Sequence, residues 1–460
     1  MMRALSSNLV ALMLLSVVPL IWPQSTSIHE FISFEESQPV LQSMARRLPP
    51  DLVNYETLSA RDWTQWVQRQ DAEIRGRLDR GEEDTLTNLL RFGVTFTKEY
   101  RIDDEYLLKY GQSSLVNAFA ENRARDLIRA MTAPNPSEGI ARMRRFLDDK
   151  GNSFTTPEQR DKIKAFLLAN LARMRDEIIR YKSQPQERRQ IFQDRGISLD
   201  TNLWPDFLID RHLDAMMQQG LLQKGSVRRL AIVGPGLDFA NKENGTDFYP
   251  LQTTQPFAVL DSLLRLGLAN PSSVEIFTLD ISPDVNFHIE RARKLAQGGK
   301  PYTVQLAWDT AARQTPEYRA AFIQYWQRLG STIGAPVPPI PVPPAAAPTT
   351  ETRALKIRPD VVLRLTPLDA NIVYQRIPFA SGDGFDLIIG TNVFVYFSAF
   401  EQSLARRNMS LMLRPGGFVL SNDELPGTPA DGLVDSYKTS QVFARNPDRE
   451  EYMFTYQRRR

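Results

Sequence analysis

Two glycines and a series of side-chain oxygens sit at the ends of apolar runs in this chain, spaced as if to meet at one place. Leu230 to Val233 lead into Gly234-Pro235-Gly236, the pattern of a buried strand feeding a tight turn. Glycine lets the main chain bend there and turns its N–H groups toward a ligand. A second run, Val274 to Leu279, ends on Asp280. A carboxylate at that point can accept from both hydroxyls of a ribose, and Ile281 after it can pack on a purine face. A third run from Val361 leads to Asp369, a carboxylate able to accept from an exocyclic amine. Each has a plainer reading: a bare strand-to-loop turn for the glycines, a helix cap before Ser282-Pro283 for Asp280, a turn for Asp369. The ordered set is more specific than any member.

The elements needed to hold these residues can be read around them. Helical periodicity resumes at Pro256 and runs through Leu264, ending at Gly267. The intervening loop begins at Asp238 and carries Lys242, Asp247 and Tyr249; these last three read either as a lid or as ordinary solvated residues. Phe385 to Asn392 is a further strand, and Ser398 to Glu401 is a capping box opening a helix with Phe400, Leu404 and Leu411 on one face. Leu413 to Ser421 forms the next strand. Runs at 437–444 and 451–457 flank Asn446-Pro447-Asp448 and predict an antiparallel hairpin. An insertion at about 309–358 follows an extra strand near Tyr302 to Trp308. It contains a helix from Glu317 to Leu329 and a proline-rich run, Ala335 to Pro344, expected to be a stiff exposed linker.

From about Ser59 to Gly220 the pattern is helix after helix. Ser59 caps a stretch with Trp63, Trp66, Val67, Ile74 and Leu78 at helical spacing, and Gly81 reads as its stop. Residues 28–50 read as a polar lead-in. Thr156 before Pro157 opens a longer helix whose stripe includes Ile163, Leu167, Leu171 and Met174. The mixed-sign charge on these helices reads as a solvated, ion-paired face, and His212 as an ordinary helix histidine. The predicted organisation is therefore residues 1–25 as a signal peptide or anchor, 26–222 as an all-α region, and 223–460 as an α/β region.

Composition narrows the function classes. The chain has 460 residues, 42% hydrophobic and 24% charged, with a formal net charge of +2, which argues against a generic nucleic-acid binder. It has no cysteine, so disulfides, thiolate metal sites and cysteine nucleophiles are excluded, and its three histidines are scattered; no metal site is expected. Arg3 precedes the apolar stretch Leu9 to Trp22, which has the form of an export signal and is short for a membrane span. Export, with membrane contact through this segment alone, is the expectation; a cytoplasmic location follows if the start codon is assigned too far upstream.

The strand ends and the closing hairpin together resemble the class I S-adenosylmethionine-dependent methyltransferases, over roughly residues 226–460. The resemblance implies a Rossmann-like α/β sheet with an antiparallel last strand, following an all-α N-terminal region. It also implies that S-adenosylmethionine is the methyl donor, held by Gly234, Gly236, Asp238, Asp280, Ile281, Asp369, Thr391 and Asn392. Phe385 to Phe397 is locally similar to the chemotaxis-receptor glutamate methyltransferases, which carry a like Asn-Val-x-x-Tyr-Phe run. This chain departs from the family in having Ile232 where an acidic residue is common and Asp238 at the third glycine. Asn392, Tyr249 and Tyr396 are the catalytic candidates, with Asp238 a further candidate base; the acceptor stays open between a small molecule and a protein. The competing reading is a non-catalytic exported binding or scaffold protein on the same fold. A nicotinamide dehydrogenase is disfavoured by the hairpin and by the lack of Gly-x-Gly-x-x-Gly spacing.

Overall fold

The computed structural model describes residues 29–110, 114–184, 188–238, 247–310, 314–344, 349–444 and 449–459. The signal or anchor segment and Lys242 lie outside the described residues. Among those described, no helix is long and apolar enough to cross a membrane.

The chain begins with a short strand, β1 (Glu30–Phe31), and helix α1 (Phe34–Ser43). The lead-in expected at 28–50 is thus partly helical, because Ser33 and Glu36 form a reciprocal capping box. Helices α2 (Ala60–Gly76) and α3 (Leu78–Phe92) follow. Ser59 caps α2 as its sequence predicts. Gly81, expected to stop a helix, lies inside α3 instead. A Cβ there would overlap the carbonyl oxygen of Ile197, so the glycine serves close packing of the segment 196–198 onto the helix. Next come α4 (Asp104–Tyr110), α5 (Ser114–Met131), α6 (Glu138–Asp149), α7 (Pro157–Ser183), α8 (Arg188–Asp194) and α9 (Leu203–Gln218). Helix α7 opens with Thr156 and Gln159 capping each other and Pro157 at its first position.

The α/β part contains β2 (Arg229–Val233), α10 (Gln255–Arg265), β3 (Glu275–Asp280), α11 (Pro283–Gln297) and β4 (Tyr302–Asp309). Then come α12 (Pro316–Arg328), β5 (Gly334–Val337), β6 (Thr350–Ile357), α13 (Pro359–Val362), β7 (Leu365–Asp369) and β8 (Gln375–Arg376). The chain closes with β9 (Phe385–Gly390), α14 (Ala399–Met412), β10 (Leu413–Ser421), β11 (Leu433–Ala444) and β12 (Arg449–Arg458).

Seven strands form the central sheet in the order β11-β12-β10-β9-β2-β3-β7. Strands β10, β9, β2, β3 and β7 pair in parallel, while β12 runs antiparallel to both β10 and β11. Strand β2 carries four consecutive buried residues, as expected of a strand covered on both faces. A separate antiparallel sheet, β4-β6-β5, joins the extra strand before the insertion to two strands within it. The proline-rich run is not wholly a linker: Ala335, Pro336 and Val337 pair with β6. Proline is tolerated there because β5 is an edge strand.

Two cores sandwich the sheet. On one side α9, α10, α11 and α12 contribute Phe207, Leu213, Phe257, Ile289 and Phe322 against Leu230 and Ile232. On the other, Trp63 and Trp66 of α2 and Leu404 of α14 pack against Ala231, Val233 and Ile388. Helix α2 therefore shares its core with the sheet, whereas α3, α5, α6 and α7 also build one of their own around Leu89, Leu127 and Met143. His212, on α9, is fully buried between Thr439 Oγ1 at 2.7 Å and Thr455 Oγ1 at 2.5 Å. Burial lowers its pKa to about 4, so it is a neutral core residue.

Candidate functional site

A cleft opens at the carboxyl ends of β2, β3 and β9. Its walls include Gly234, Gly236, Asp280, Ile281, Thr391, Asn392 and Tyr396, all singled out by the sequence. It lies where the strand order reverses on either side of β2, the place at which open α/β sheets bind ligands.

Parallel pairing brings the turn and the acidic strand end together. Gly234 N–H donates to the Leu279 carbonyl at 2.9 Å, and the Gly236 N–H faces the Asp280 carboxylate closely enough to favour its ionised form. Asp280 also accepts from Ser282 N–H at 2.8 Å. The helix-cap reading of Asp280 is only half met: Ser282 itself caps α11. Burial raises the pKa of Asp280 to about 7, against the pull of the Ser282 and Gly236 N–H groups. A carboxylate has about four lone-pair sites, so two N–H donors leave room for hydroxyl donors from a ligand.

Both glycines need their positive φ, 63° at Gly234 and 66° at Gly236. The space a Cβ would take is used by the protein itself: it would meet Val393 Cγ2 at 2.6 Å at Gly234 and the Leu199 carbonyl oxygen at 2.6 Å at Gly236. What the turn offers a ligand is main chain.

Thr391 and Asn392 follow β9. Thr391 Oγ1 accepts from Gln255 Nε2 at 2.9 Å. Asn392 has φ 59°, a strained region for a residue with a side chain. It is held there by exchange with Asn422: its N–H donates at 2.8 Å and its Oδ1 accepts at 2.7 Å. Tyr396 lines the cleft, but burial raises its pKa to about 12. It is a neutral phenol rather than a base.

Three expected residues stand elsewhere. Asp369 is captured by Arg75 of α2, with Nη1 at 2.6 Å, and its side chain is half exposed; Asn371, two residues on, lines the cleft instead. Asp238 and Tyr249 bond each other at 2.9 Å and do not line the cleft. Asp238 is turned away because its N–H pairs with Gln252 O and the preceding N–H, of Leu237, pairs with Leu199 O. Asp247 is no lid residue: it is buried and accepts from Val94 N–H at 2.8 Å and from Thr95 N–H at 3.0 Å, tying its loop to the helical region.

Sequence reasoning missed Gln255, Asn371 and the segment Ile197 to Thr201, which forms a wall of the cleft. Gln255 carries a local signal, a polar residue before Pro256 at a helix start. The 197–201 segment carries none.

Comparison with known proteins gives fold-level likeness only. No family model matches the chain, and no curated protein does. Among solved structures, the N-methyltransferase NodS from Bradyrhizobium japonicum WM9 is 12% identical, covering 55% of this chain and 97% of its own, with a TM-score of 0.25. Magnesium protoporphyrin IX methyltransferase (ChlM) from Synechocystis PCC 6803 with bound SAM is 9% identical, covering 62% and 97%, with a TM-score of 0.26. The glycopeptide N-methyltransferase MtfA is 11% identical, covering 55% and 94%, with a TM-score of 0.25.

Proposed function

We propose that this chain is an S-adenosylmethionine-dependent methyltransferase that binds its donor in the cleft at the ends of β2, β3 and β9. The observation that carries the reading is the cleft's position at the reversal of strand order, with Asp280 and the Gly234–Gly236 turn on one wall. The antiparallel β12 supports it over a dinucleotide dehydrogenase, whose sheet stays parallel. Counted in chain order along the sheet alone, the strands run 3-2-1-4-5-7-6.

The residues present fit such a donor. Asp280 has acceptor capacity left for ribose hydroxyls, Ile281 offers an apolar surface, and Asn371 offers an amide where Asp369 was expected. Transfer of a methyl group from a sulfonium is an in-line displacement, which this chain would favour by orienting the two reactants and excluding water. The charged side chains lining the cleft are the carboxylates Asp200 and Asp280. They disfavour an anionic acceptor, so the local likeness to glutamate methyltransferases does not extend to the acceptor; a neutral or cationic one fits. Export remains a proposal from the first 25 residues.

A second reading, a non-catalytic binding protein, is favoured by one feature: Asp280 is already bonded to its own main chain, and Val393 and Leu199 occupy the space beside the glycines. Calorimetric titration with S-adenosylhomocysteine separates the two. Saturable binding that Asp280→Ala abolishes in a folded protein supports the enzyme; absence of heat from folded wild-type protein overturns it.

A further inference from the structure

One wall of the cleft is backed by a polar chain that ends on a buried carboxyl without a partner. Thr391 accepts from Gln255 Nε2, the first residue of α10. Behind Gln255 lies Asp206 of α9, and each is only 2% exposed. Both oxygens of Asp206 and Oε1 of Gln255 lack hydrogen-bond partners. Acceptors facing one another in a dry interior are unfavourable, and two arrangements relieve them. With a proton on Asp206, its O–H donates to Gln255 Oε1, Gln255 Nε2 donates to Thr391 Oγ1, and the Thr391 hydroxyl proton is left for the cleft. With Asp206 ionised, the carboxamide turns over. Nε2 then donates to Asp206, Oε1 accepts from the Thr391 hydroxyl, and Thr391 shows the cleft a lone pair.

We propose that Asp206 is a positioning residue that decides, through Gln255, whether Thr391 offers the cleft a proton or a lone pair. The inference rests on the cleft being the ligand site of the proposed function. The surroundings favour the first state at neutral pH. Asp206 makes no ion pair among the described residues. Burial raises its pKa to about 8 against the pull of the Gln255 side chain, and the charge of Asp238 adds to the rise. Of the other groups around it, Asp210 on the same helix is held by Arg265, Arg328 and Ser262. Tyr325 of α12 keeps a buried hydroxyl without a partner. The ligand selected at neutral pH is one that presents an oxygen or ring-nitrogen acceptor to Thr391.

The test is the pH profile of S-adenosylhomocysteine binding, with Asp206→Asn as the conservative variant, since asparagine donates to Gln255 at every pH. Asp280 itself titrates near 7 in this cleft, so the readout is the difference between profiles: between about pH 6 and about pH 9 the wild-type affinity is expected to change severalfold more than that of Asp206→Asn, which keeps only the Asp280 contribution. Thr391→Val, which removes the hydroxyl, is a second variant expected to reduce the profile to the same Asp280 contribution. Identical profiles in wild type and in both variants overturn the proposal. A readout without ligand separates it from the donor-binding reading. In glutamine-labelled protein, the Gln255 side-chain amide resonances shift over the same range in wild type and stay fixed in Asp206→Asn. If wild type binds no ligand, the donor-binding reading fails, and these resonances alone decide the role of Asp206: a shift supports it and its absence overturns it.

Discussion

The N–H of Gly236 faces the carboxylate of Asp280 and favours its ionised form, so the turn after β2 is coupled to the end of the neighbouring strand β3. The two residues close one wall of the cleft, and the bond from Ser282 N–H at 2.8 Å orients the carboxylate there. Removing either partner should therefore act on ligand affinity and on stability together.

Replacing Asp280 with asparagine keeps an acceptor for Ser282 N–H at 2.8 Å but sets an NH2 group against Gly236 N–H. The expected loss of stability is about 1–3 kcal/mol, the cost of an unmet buried polar group. Denaturant titration measures that loss. Affinity for S-adenosylhomocysteine should fall by about tenfold or more, the worth of one charge-assisted hydrogen bond, which calorimetry measures.

Gly236→Ala should destabilise by about 1–3 kcal/mol from the positive φ alone, with more from its collision with the Leu199 carbonyl. Gly267→Ala is the control. Its φ is 70°, but the nearest atom to an added Cβ is Lys224 Cγ at 3.9 Å, so strain acts there without a clash. Urea midpoints of the two variants should differ, with Gly236→Ala the lower.

Asp238 supplies a pH test. Its folded pKa is raised from 3.8 to about 7, chiefly by burial. Between those values the native state binds more protons than the unfolded one, so this residue makes stability fall as pH rises, levelling off above about 7. In Asp238→Asn that contribution is absent. The stability of the variant relative to wild type should rise with pH across the window and then stay constant, read from denaturation midpoints at a series of pH values. A difference that falls with pH would contradict the assignment.

Arg406 and Asp431 form an ion pair with both side chains 3% exposed. Arg406 also bonds the carbonyls of Leu425 and Leu433, locking α14 to the start of β11. Arg406→Met leaves a buried carboxylate without its cation and should cost about 3–5 kcal/mol. The double variant Arg406→Met with Asp431→Asn should recover part of this, as a double-mutant cycle in urea would show.

Much of the site was legible because its signals are local. A continuous apolar run ending in Gly234, Asp280 or Thr391 needs only its own residues to announce a buried strand and its carboxyl end. The helix starts read at Ser59, Thr156 and Ser398 likewise need only a few residues of reach, and all three prove to be capping boxes. Which polar side chain faces the cleft is a different question, settled by partners that arrive from far along the chain. Asp369 ends its strand as expected, yet Arg75, 294 residues away in sequence, draws its carboxylate aside. Asp238 follows the glycine turn as expected, yet Tyr249 and Gln252 hold it away from the cleft. The wall at 197–201 and the unpartnered Asp206 leave no periodicity or motif to read. The strand ends were therefore written in the sequence itself, because backbone preference and apolar patterning are short-ranged. The facing of each polar group came only with the packed chain, because a buried hydrogen bond depends on whichever donor the fold brings within reach.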